Sequence, residues 1–328
     1  MPLRIVMLGT GEFALPTFKS LYETEHAVVG LFTQPDRTGR GHHQHVNPLK
    51  ELALQQGTEV FQPKNINQSA VLASLRDLQA DLAVVAAYGQ ILSAEMLAIP
   101  RLGAINLHAS LLPRHCGAAP IHYAILAGDK TTGVTIFQIE PQLDAGLILG
   151  AVTTDIEPEE TTGMLHDRLA KMAVPLTQQV INQLEAGTSR GLSQDPALVT
   201  LAPKMVKALG DIDWHQPAAK VAQHIRAMQP WPTAYTFFCS PEQKPIRIII
   251  TAASLPVEWA LPTTNENRSG DIFVVDQHHL CVQTSAGIIE LLRLRPAGKR
   301  EMTAEEFMNG HQITTESRFQ SEKVALDQ

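Results

Sequence analysis

The first part of the chain alternates apolar strand patterns with amphipathic helix patterns. Strand patterns at Leu3–Leu8, Ala27–Thr33 and Leu82–Ala86 alternate with helix patterns such as Leu15–Tyr22 and Ser69–Leu78. Strands that alternate with helices form a parallel sheet covered by helices, and such sheets bind ligands at the carboxyl ends of their strands. The alternation therefore predicts an α/β fold built on a doubly wound, mostly parallel, Rossmann-like sheet, with a site at that edge.

A change of composition divides the chain into two domains. Glycine, serine and proline interrupt the periodic pattern from Gly187 to Pro203, and short strand patterns follow between residues 234 and 294. Short strands separated by glycine and proline are typical of a small β-barrel of the OB type. We predict a first domain at 1–188, a linker at 189–205, a second domain at 206–314 and a loosely held polar tail at 315–328.

The composition excludes several classes of protein. Of 328 residues, 44% are hydrophobic and 18% are charged, which suits folded domains and not a disordered chain. No apolar run approaches the ~18 residues of a membrane span, so we expect no membrane partner, and we see no signal peptide. Cys116, Cys239 and Cys281 are too scattered for a disulfide framework, which fits a reducing cytoplasm.

The charge is unevenly distributed. The net charge is −7, which by itself disfavours a nucleic-acid partner, but residues 199–300 carry 11 basic and 8 acidic side chains. A basic second domain can meet a phosphate backbone locally. The densest basic run is Arg293–Arg300, for which a solvated edge strand is the alternative interpretation.

Three polar residues are candidates for chemistry. Asn106 and His108 lie two residues apart at the end of the strand pattern Gly103–Leu107, and Asp144 lies in a turn after the strand pattern Val134–Ile139. Side chains two apart leave the same face of a strand. An amide, an imidazole and a carboxylate at neighbouring strand ends can stabilise an oxyanion and move a proton, as acyl transfer requires. Taken alone, such residues are more often a polar strand cap or part of a turn than a catalytic group.

The wider motifs resemble those of a known family. They read NLHASLLP at Asn106–Pro113, GAAPI at Gly117–Ile121, GVTI at Gly133–Ile136 and LDAG at Leu143–Gly146. This pattern closely resembles the folate-dependent formyltransferases, and most of all the branch that formylates methionine carried by initiator methionyl-tRNA. The resemblance extends from about residue 3 to residue 311 and includes both domains.

The resemblance implies roles for individual residues. Asn106, His108 and Asp144 are expected to be catalytic, with His108 as an imidazolium favoured by Asp144, and the formyl donor is expected to be 10-formyltetrahydrofolate, with no metal. No acyl-enzyme is needed, so Ser110 and Cys116 are expected to be structural. The expected folate-binding residues are Tyr88, Gly89, Gln90, Ile91, Leu92, Ser110, Leu111, Leu112, Pro113 and Leu143.

The same resemblance implies a tRNA-binding surface. The loop 34–48 matches a loop that enters the acceptor stem of the tRNA in the family, although histidines stand here where two lysines are common. A metal site formed by the histidines of this loop is the less favoured alternative, because no carboxylate or cysteine completes it. The expected tRNA-binding residues are Arg37, Arg40, His42, His43, Lys204, Lys207, Arg293, Arg295, Lys299 and Arg300.

Other functions remain open at this point. The motif at Gly9, Gly11 and Ala14 matches the dinucleotide fingerprint of NAD-dependent oxidoreductases, but no acidic residue ends the next strand. Relatives in the family also formylate sugar-nucleotide amines or glycinamide ribonucleotide. Departures from the family pattern at His115, Cys116 and Leu147 bear on the acceptor. We expect a cytoplasmic monomer.

Overall fold

The computed structural model describes residues 1–36, 47–241, 243–256 and 268–326. The chain divides into two compact units. The first consists of Met1–Pro120, Thr131–Asp155 and Leu165–Pro203, and the second of Ile121–Lys130, Ile156–Met164 and Lys204–Gln328. Each unit is built around its own sheet.

The first unit contains a sheet with parallel and antiparallel parts. Its strands are β1 (Arg4–Gly9), β2 (Ala27–Phe32), β3 (Val60–Phe61), β4 (Leu82–Ala86), β5 (Ala104–His108), β7 (Thr131–Gln138) and β8 (Ile148–Asp155), while β6 (Cys116–Gly117) pairs separately with β9 (Leu201–Ala202). The strand order is β3-β2-β1-β4-β5-β7-β8, parallel as far as β5 and antiparallel from there. From β1 the chain adds β2 and β3 on one side of the sheet, and it then adds β4 and β5 on the other side. The connections after β1 and β4 therefore diverge, which leaves a crevice at the carboxyl ends of these two strands.

Burial explains why these segments form interior strands. Every residue of β4 is buried, and so is every residue of β1 except the first. A parallel strand covered by helices on both faces needs a continuous apolar run instead of an alternating one. The predicted fold class, an α/β domain with a mostly parallel sheet followed by a small β domain, is confirmed.

Helices connect the strands. Their bounds are α1 (Leu15–Leu21), α2 (Pro48–Gln55), α3 (Ser69–Asp77), α4 (Ala94–Leu97), α5 (Pro120–Ala127) and α6 (Thr162–Glu185). The side chain of Asn47 caps α2 by accepting hydrogen bonds from the amides of Leu49 and Lys50, which satisfies donors that have no partner within a helix. In the described part of the chain, no helix is long and apolar enough to cross a membrane.

The second unit is a β-barrel of antiparallel strands. Its elements are α7 (Ala218–Ala227), β10 (Ala234–Ser240), β11 (Gln243–Ser254), β12 (Ile272–Val275), β13 (His279–Gln283), β14 (Ile288–Pro296), β15 (Met302–Thr303), α8 (Ala304–Gly310), β16 (Arg318–Gln320) and α9 (Glu322–Leu326). The strand order is β12-β13-β14-β11-β10-β16, with β15 beside β14. The two ends of this order meet, because the Phe319 amide donates to the Gly270 carbonyl at 2.8 Å and Asp271 bridges to Arg318.

The expectation of a loosely held tail after residue 314 is therefore wrong. β16 pairs with β10, and Phe319 is 1% exposed between Trp214 and Phe238, at ring distances of 5.8 and 5.9 Å. The segment is polar and acidic in composition, and one aromatic residue was too weak a signal for a strand. The barrel needs this strand for closure, since an open edge would leave backbone groups unpaired.

Phe319→Ala should destabilise the second unit strongly. Removing a fully buried aromatic ring typically costs about 3–5 kcal/mol of unfolding free energy, because a cavity replaces its packing contacts. Urea unfolding followed by the fluorescence of Trp214, which stacks on Phe319, measures the loss. Val324→Ala in α9 is the control, because Val324 is 44% exposed and should change stability by less than about 0.5 kcal/mol. Equal stability of the two variants would contradict a closing role for β16.

The predicted linker at 189–205 is also fastened to the first unit. Leu192 and Ile148 exchange two backbone hydrogen bonds of 2.9 Å each, and β9 pairs in parallel with β6. The segment shows no apolar periodicity because it forms no α-helix or long strand and binds the first unit through backbone groups. Its composition therefore predicted a free linker where the structure has a docked one.

Candidate active site

The crevice at the carboxyl ends of β1, β2 and β4 is lined by a polar network. The hydroxyls of Thr10 and Thr33 lie 3.3 Å apart, and the Gln34 amide donates to the Thr10 hydroxyl at 3.2 Å. The side-chain Nε2 of Gln34 donates to the carbonyl of Tyr88 at 2.9 Å. These hydrogen bonds connect the segments that follow β1, β2 and β4. Side chains thus hold the edge of the sheet at which the site was predicted.

Asn106 and His108 emerge from β5 next to this crevice. Asn106 lies between Val85 of β4 and Phe137 of β7, and His108 pairs with Thr135 of β7. His108 is 5% exposed, whereas Asn106 keeps intermediate exposure. β5 is the strand at which the sheet changes from parallel to antiparallel pairing, and the two candidates share the face that the alternation predicted.

The imidazole of His108 is held by a backbone carbonyl. Its Nε2 lies 2.9 Å from the carbonyl oxygen of His115, and a carbonyl only accepts, so Nε2 must carry the hydrogen. In the neutral ring, Nδ1 is then the unprotonated nitrogen with a free lone pair. Nδ1 faces Oδ2 of Asp144 at 3.9 Å, which brings together two of the three candidates that are far apart in sequence.

The turn that carries Asp144 is held in an uncommon conformation. Asp144 has φ of +49°, in the left-handed region that non-glycine residues enter rarely. Its Oδ2 accepts a hydrogen bond of 2.7 Å from the Gly117 amide, and its side chain is 11% exposed. Gly146 completes the turn, because a Cβ there would lie 1.7 Å from the Gln138 carbonyl oxygen. The conformation of its own turn and the hydrogen bond from Gly117 in the 110–117 loop together hold the carboxylate in position.

Burial keeps His108 neutral. Loss of solvation is the largest influence and lowers the pKa of the imidazole below its ordinary value, while the Asp144 carboxylate and the His115 carbonyl oppose the shift and the nearby His115 ring adds to it. The expectation that Asp144 favours the imidazolium agrees with the direction of its effect, but burial has the larger, opposite effect. A single carboxylate at 3.9 Å, beyond direct hydrogen-bonding distance, does not compensate for complete burial.

The loop between β5 and β6 is fastened by its own side chains. The Ser110 hydroxyl donates to the Arg114 carbonyl at 2.6 Å, and the Thr135 hydroxyl donates to the Ser110 carbonyl at 2.7 Å while accepting from the Leu112 amide at 3.1 Å. Ser110 and Leu112 are buried. Among the predicted folate residues of this loop, these two therefore shape the backbone.

The predicted folate residues on the other side of the crevice divide into two groups. Tyr88 and Leu92 are buried in the apolar cluster of the first unit, and Gln90 bonds with its side chain to the Ile66 amide at 2.8 Å. The other group is open to solvent, with Ile91 83% exposed. Burial raises the pKa of Tyr88, so that its phenol is neutral. The side chains of the first group pack against or bond to the protein itself. Only backbone groups and exposed apolar atoms here are therefore available to a ligand.

The remaining predicted folate residues stand at the rim of the site. Gly89 has φ of +78°, which places a chain reversal directly after Tyr88. Leu143, next to Asp144, is 67% exposed, and an exposed leucine beside a buried carboxylate is suited to cover an apolar ligand. Leu111 and Pro113 are half-exposed in the 110–117 loop.

Cys116 is not suited to be a nucleophile. The thiol is buried and donates to the Pro113 carbonyl at 3.4 Å. Burial and the neighbouring Asp144 raise the pKa of the thiol, which keeps it protonated. This agrees with the expected structural role of Cys116.

Two residues that touch the site went unnoticed in the sequence. Gln194 donates to the carbonyls of Asp144 and Gly146, and the Thr200 hydroxyl accepts from the His115 amide. Both belong to the segment predicted as a linker. No motif marks these two residues. They bind backbone carbonyl and amide groups, which are present whatever the sequence is.

The predicted tRNA-binding residues are only partly within the described chain. Arg37, Arg40, His42 and His43 lie in residues 37–46, outside the described residues. In the second unit, Arg293 pairs with Glu301 at 2.8 Å and Arg300 with Glu306 at 2.7 Å. The other predicted basic residues, all exposed, are Lys204, Lys207, Arg295 and Lys299.

Metal ligation has no candidate in the described ranges. No group of three or more His, Cys, Asp or Glu side chains there is arranged to hold an ion. The loop histidines weighed as ligands in the sequence lie outside these ranges.

Comparison with known proteins assigns the family. A family model described as "Formyl transferase" matches residues 3–181, and a model described as "Formyl transferase, C-terminal domain" matches residues 204–312. The chain belongs to the formyl transferase family. Family membership confirms the predicted enzyme class and favours formyl transfer over the hydride transfer suggested by the glycine motif.

One relative is similar along nearly the whole chain. The methionyl-tRNA formyltransferase of Methylococcus capsulatus is 40% identical over 312 residues, which are 95% of this chain and 98% of the relative. The predicted resemblance to this branch of the formyltransferases is thereby confirmed.

Solved structures share the fold at low sequence identity. A sugar 3N-formyl transferase, WlaRD, is 15% identical with a TM-score of 0.65, over 92% of this chain and all of that one. An N-formyltransferase from Helicobacter canadensis with folinic acid is 14% identical with a TM-score of 0.64, over 88% of this chain and 98% of that one. HypX from Aquifex aeolicus, in complex with tetrahydrofolic acid, is 16% identical with a TM-score of 0.62 over 94% of this chain. This chain spans 47% of HypX.

Proposed function

We propose that this formyltransferase moves the formyl group of 10-formyltetrahydrofolate to the α-amine of methionine on initiator methionyl-tRNA. The nearly full-length match at 40% identity to a methionyl-tRNA formyltransferase is the observation that carries the acceptor. The neutral His108 beside Asp144 at the sheet edge supports the chemistry. The same proposal places the enzyme in the cytoplasm, as a monomer that needs no metal.

The site geometry suggests how the proton moves. The amine nitrogen attacks the formyl carbon, which gives a tetrahedral centre with a negative oxygen and a positive nitrogen. Nδ1 of His108 has its lone pair free, because Nε2–H is committed to the His115 carbonyl, and it takes the proton from that nitrogen. The imidazolium then passes the proton to N10 of the folate as the carbon–N10 bond breaks and the carbonyl re-forms.

Asp144 and Asn106 stabilise the charges that appear during this sequence. His108 becomes positive only when the tetrahedral centre has formed, and the Asp144 carboxylate at 3.9 Å then attracts it within a buried site. The Asn106 amide can donate to the oxyanion, an interaction whose loss typically costs about 3 kcal/mol of barrier. Both groups thus act more strongly in the transition state than in the ground state, which is what accelerates a reaction.

Formylation of charged initiator tRNA by the purified protein tests the proposal directly. Incubation with methionyl-tRNA and 10-formyltetrahydrofolate should yield acid-stable formylmethionyl-tRNA. A dTDP-linked amino sugar is the alternative acceptor, because one structure with the same fold is a sugar 3N-formyl transferase and another was solved with dTDP-3-aminofucose. Transfer to the sugar with none to tRNA would refute the acceptor, and enhancement of NADH fluorescence on binding would revive the oxidoreductase alternative.

The His108 imidazole should titrate below its ordinary pKa of about 6.5. Burial lowers the pKa, so the ring stays neutral as the pH falls from 8 to 6.5 and gains its proton only below that. NMR titration of the His108 ring signals, assigned with a His108→Ala variant, measures this without interference from the ionisation of the acceptor amine. A midpoint above 6.5 would show an imidazolium and oppose the general-base role.

The basic residues of β14 and of the turn after it should contribute unequally to tRNA binding. Arg293 is neutralised by Glu301, whereas Arg295 and Lys299 form no ion pair with the rest of the described chain. We expect the Arg295→Ala, Lys299→Ala double variant to raise the KM for tRNA about tenfold and to flatten its salt dependence, since fewer counterions are released. The KM for folate should not change.

Arg293→Ala is the matched control for this double variant. It removes one charge from the strand that carries Arg295 and leaves Glu301 unpaired, so its effect on the salt dependence should be smaller. Equal salt slopes for the wild-type protein and the double variant would exclude phosphate contacts by Arg295 and Lys299.

A further inference from the structure

The segment Leu192–Ala202, here called the strap, contacts the turn that carries Asp144 and the loop whose backbone holds the His108 ring. It lies entirely within the first unit. At one end it meets the Asp144 turn, and at the other end it meets the loop that contains His115 and Gly117. The strap thus reaches both groups that fix the positions of His108 and Asp144.

At its first end the strap holds the Asp144 turn by side-chain donors. Nε2 of Gln194 donates to the Asp144 carbonyl at 2.7 Å and to the Gly146 carbonyl at 2.8 Å. An amide NH₂ has two hydrogens, so both are committed to this turn. Asp144 occupies the left-handed region, a conformation that costs free energy and persists only where surrounding contacts enforce it.

At its second end the strap holds the opposite loop. The Thr200 hydroxyl accepts from the His115 amide at 2.8 Å, and the Thr200 carbonyl accepts from the Cys116 amide at 2.8 Å. His115 has φ of +58°, so this loop is also in a strained conformation. A Cβ on Gly117 would lie 2.7 Å from the Ala202 carbonyl oxygen, which shows how closely β9 approaches the loop.

These contacts lead directly to the reacting groups. The carbonyl of His115 receives the Nε2 hydrogen of His108, and the amide of Gly117 donates to the carboxylate of Asp144. Both of these backbone groups therefore depend on the loop that Thr200 and β9 hold. Resting on the formyl-transfer function proposed above, we propose that Gln194 and Thr200 are positioning residues that set the separation of His108 and Asp144.

The charged surroundings of His108 make this separation measurable. The titratable groups that face the imidazole are Asp144 and His115, with the Cys116 thiol next to Asp144. Asp144 is the carboxylate among them, and its attraction supports the protonated ring. If the strap is loosened and Asp144 moves away while the ring stays buried, the His108 titration shifts to lower pH.

Two variants, one at each end of the strap, test the proposal. Gln194→Leu keeps the size of the side chain without its donors, and Thr200→Val keeps its shape without the acceptor. We expect each to lower kcat about 10- to 100-fold, as misplacement of reacting groups does, with little change in the KM for folate. Each should also move the NMR titration of His108 to lower pH. Thr200→Ser retains the hydroxyl and should retain wild-type behaviour.

Leu198→Ala is the control within the strap, because Leu198 is 59% exposed and should leave kcat and the titration unchanged. If Gln194→Leu does not fold, the Thr200→Val and Thr200→Ser pair decides alone. A wild-type His108 titration with kcat within twofold in the variants that fold, even with a lowered Tm, would overturn the positioning role. The NMR titration needs no acceptor, so it remains decisive if tRNA proves to be the wrong substrate.

Discussion

His108→Ala should lower kcat about 1,000-fold while changing the KM for folate little. General acid–base groups typically contribute 100- to 10,000-fold to a rate, and His108 is the proton carrier in the proposed sequence. The ring contacts the His115 carbonyl and faces Asp144, and neither of these residues is among those expected to bind folate. Single-turnover formylation of charged tRNA, with folate affinity measured separately by equilibrium binding, gives both quantities.

Added imidazole provides a second measurement for this variant. Truncation of a 5% exposed ring leaves a cavity next to Asp144 that a free imidazole fits. Partial restoration of the rate, increasing with the concentration of neutral imidazole, is the expected result. An unchanged kcat in His108→Ala would remove the residue from the mechanism.

Asp144→Asn should lower kcat about 100- to 1,000-fold and shift the His108 titration to lower pH. The carboxylate raises the pKa of His108 against the larger effect of burial, so the neutral amide leaves burial unopposed. The imidazolium that forms during the reaction then loses its stabilising partner. The sign is fixed: a lower pKa means that the ring in the variant is protonated only at a still more acid pH.

The NMR titration of His108 in Asp144→Asn, compared with the wild-type protein, measures the shift. The rate profiles of the two proteins share the ionisation of the acceptor amine, so their ratio isolates the contribution of the enzyme. Asn retains the size of Asp and can still accept the hydrogen bond from the Gly117 amide, which keeps the turn in place. A shift to higher pH, or a rate within twofold of wild type, would contradict the electrostatic role.

The two domains and their fold classes were predictable because they depend on local patterns. β4 was predicted at Leu82–Ala86 and is observed there, since a fully apolar run between turns has few alternatives. Helix α3 was predicted at Ser69–Leu78 and is observed at Ser69–Asp77. Periodicity specifies which face of an element is buried, and burial is the main contribution to its stability.

Motifs identified the candidate catalytic residues, but they did not show whether His108 is protonated. The resemblance singled out Asn106, His108 and Asp144, and the structure brings His108 and Asp144 to 3.9 Å. The protonation state of His108 depends on how completely the ring is buried, a sum over contacts from several segments. The sequence therefore predicted that Asp144 favours the imidazolium but could not show that burial has the larger, opposite effect.

The sequence by itself determined the α/β sheet, the β-rich second domain and the type of reaction. Those features follow from apolar periodicity and from short motifs, both of which are local along the chain. Only the tertiary structure decided that β16 closes the barrel, that the strap holds the Asp144 turn and that His108 is neutral. Each depends on backbone groups or burial contributed by distant segments, and backbone hydrogen bonding leaves no signature in side-chain composition.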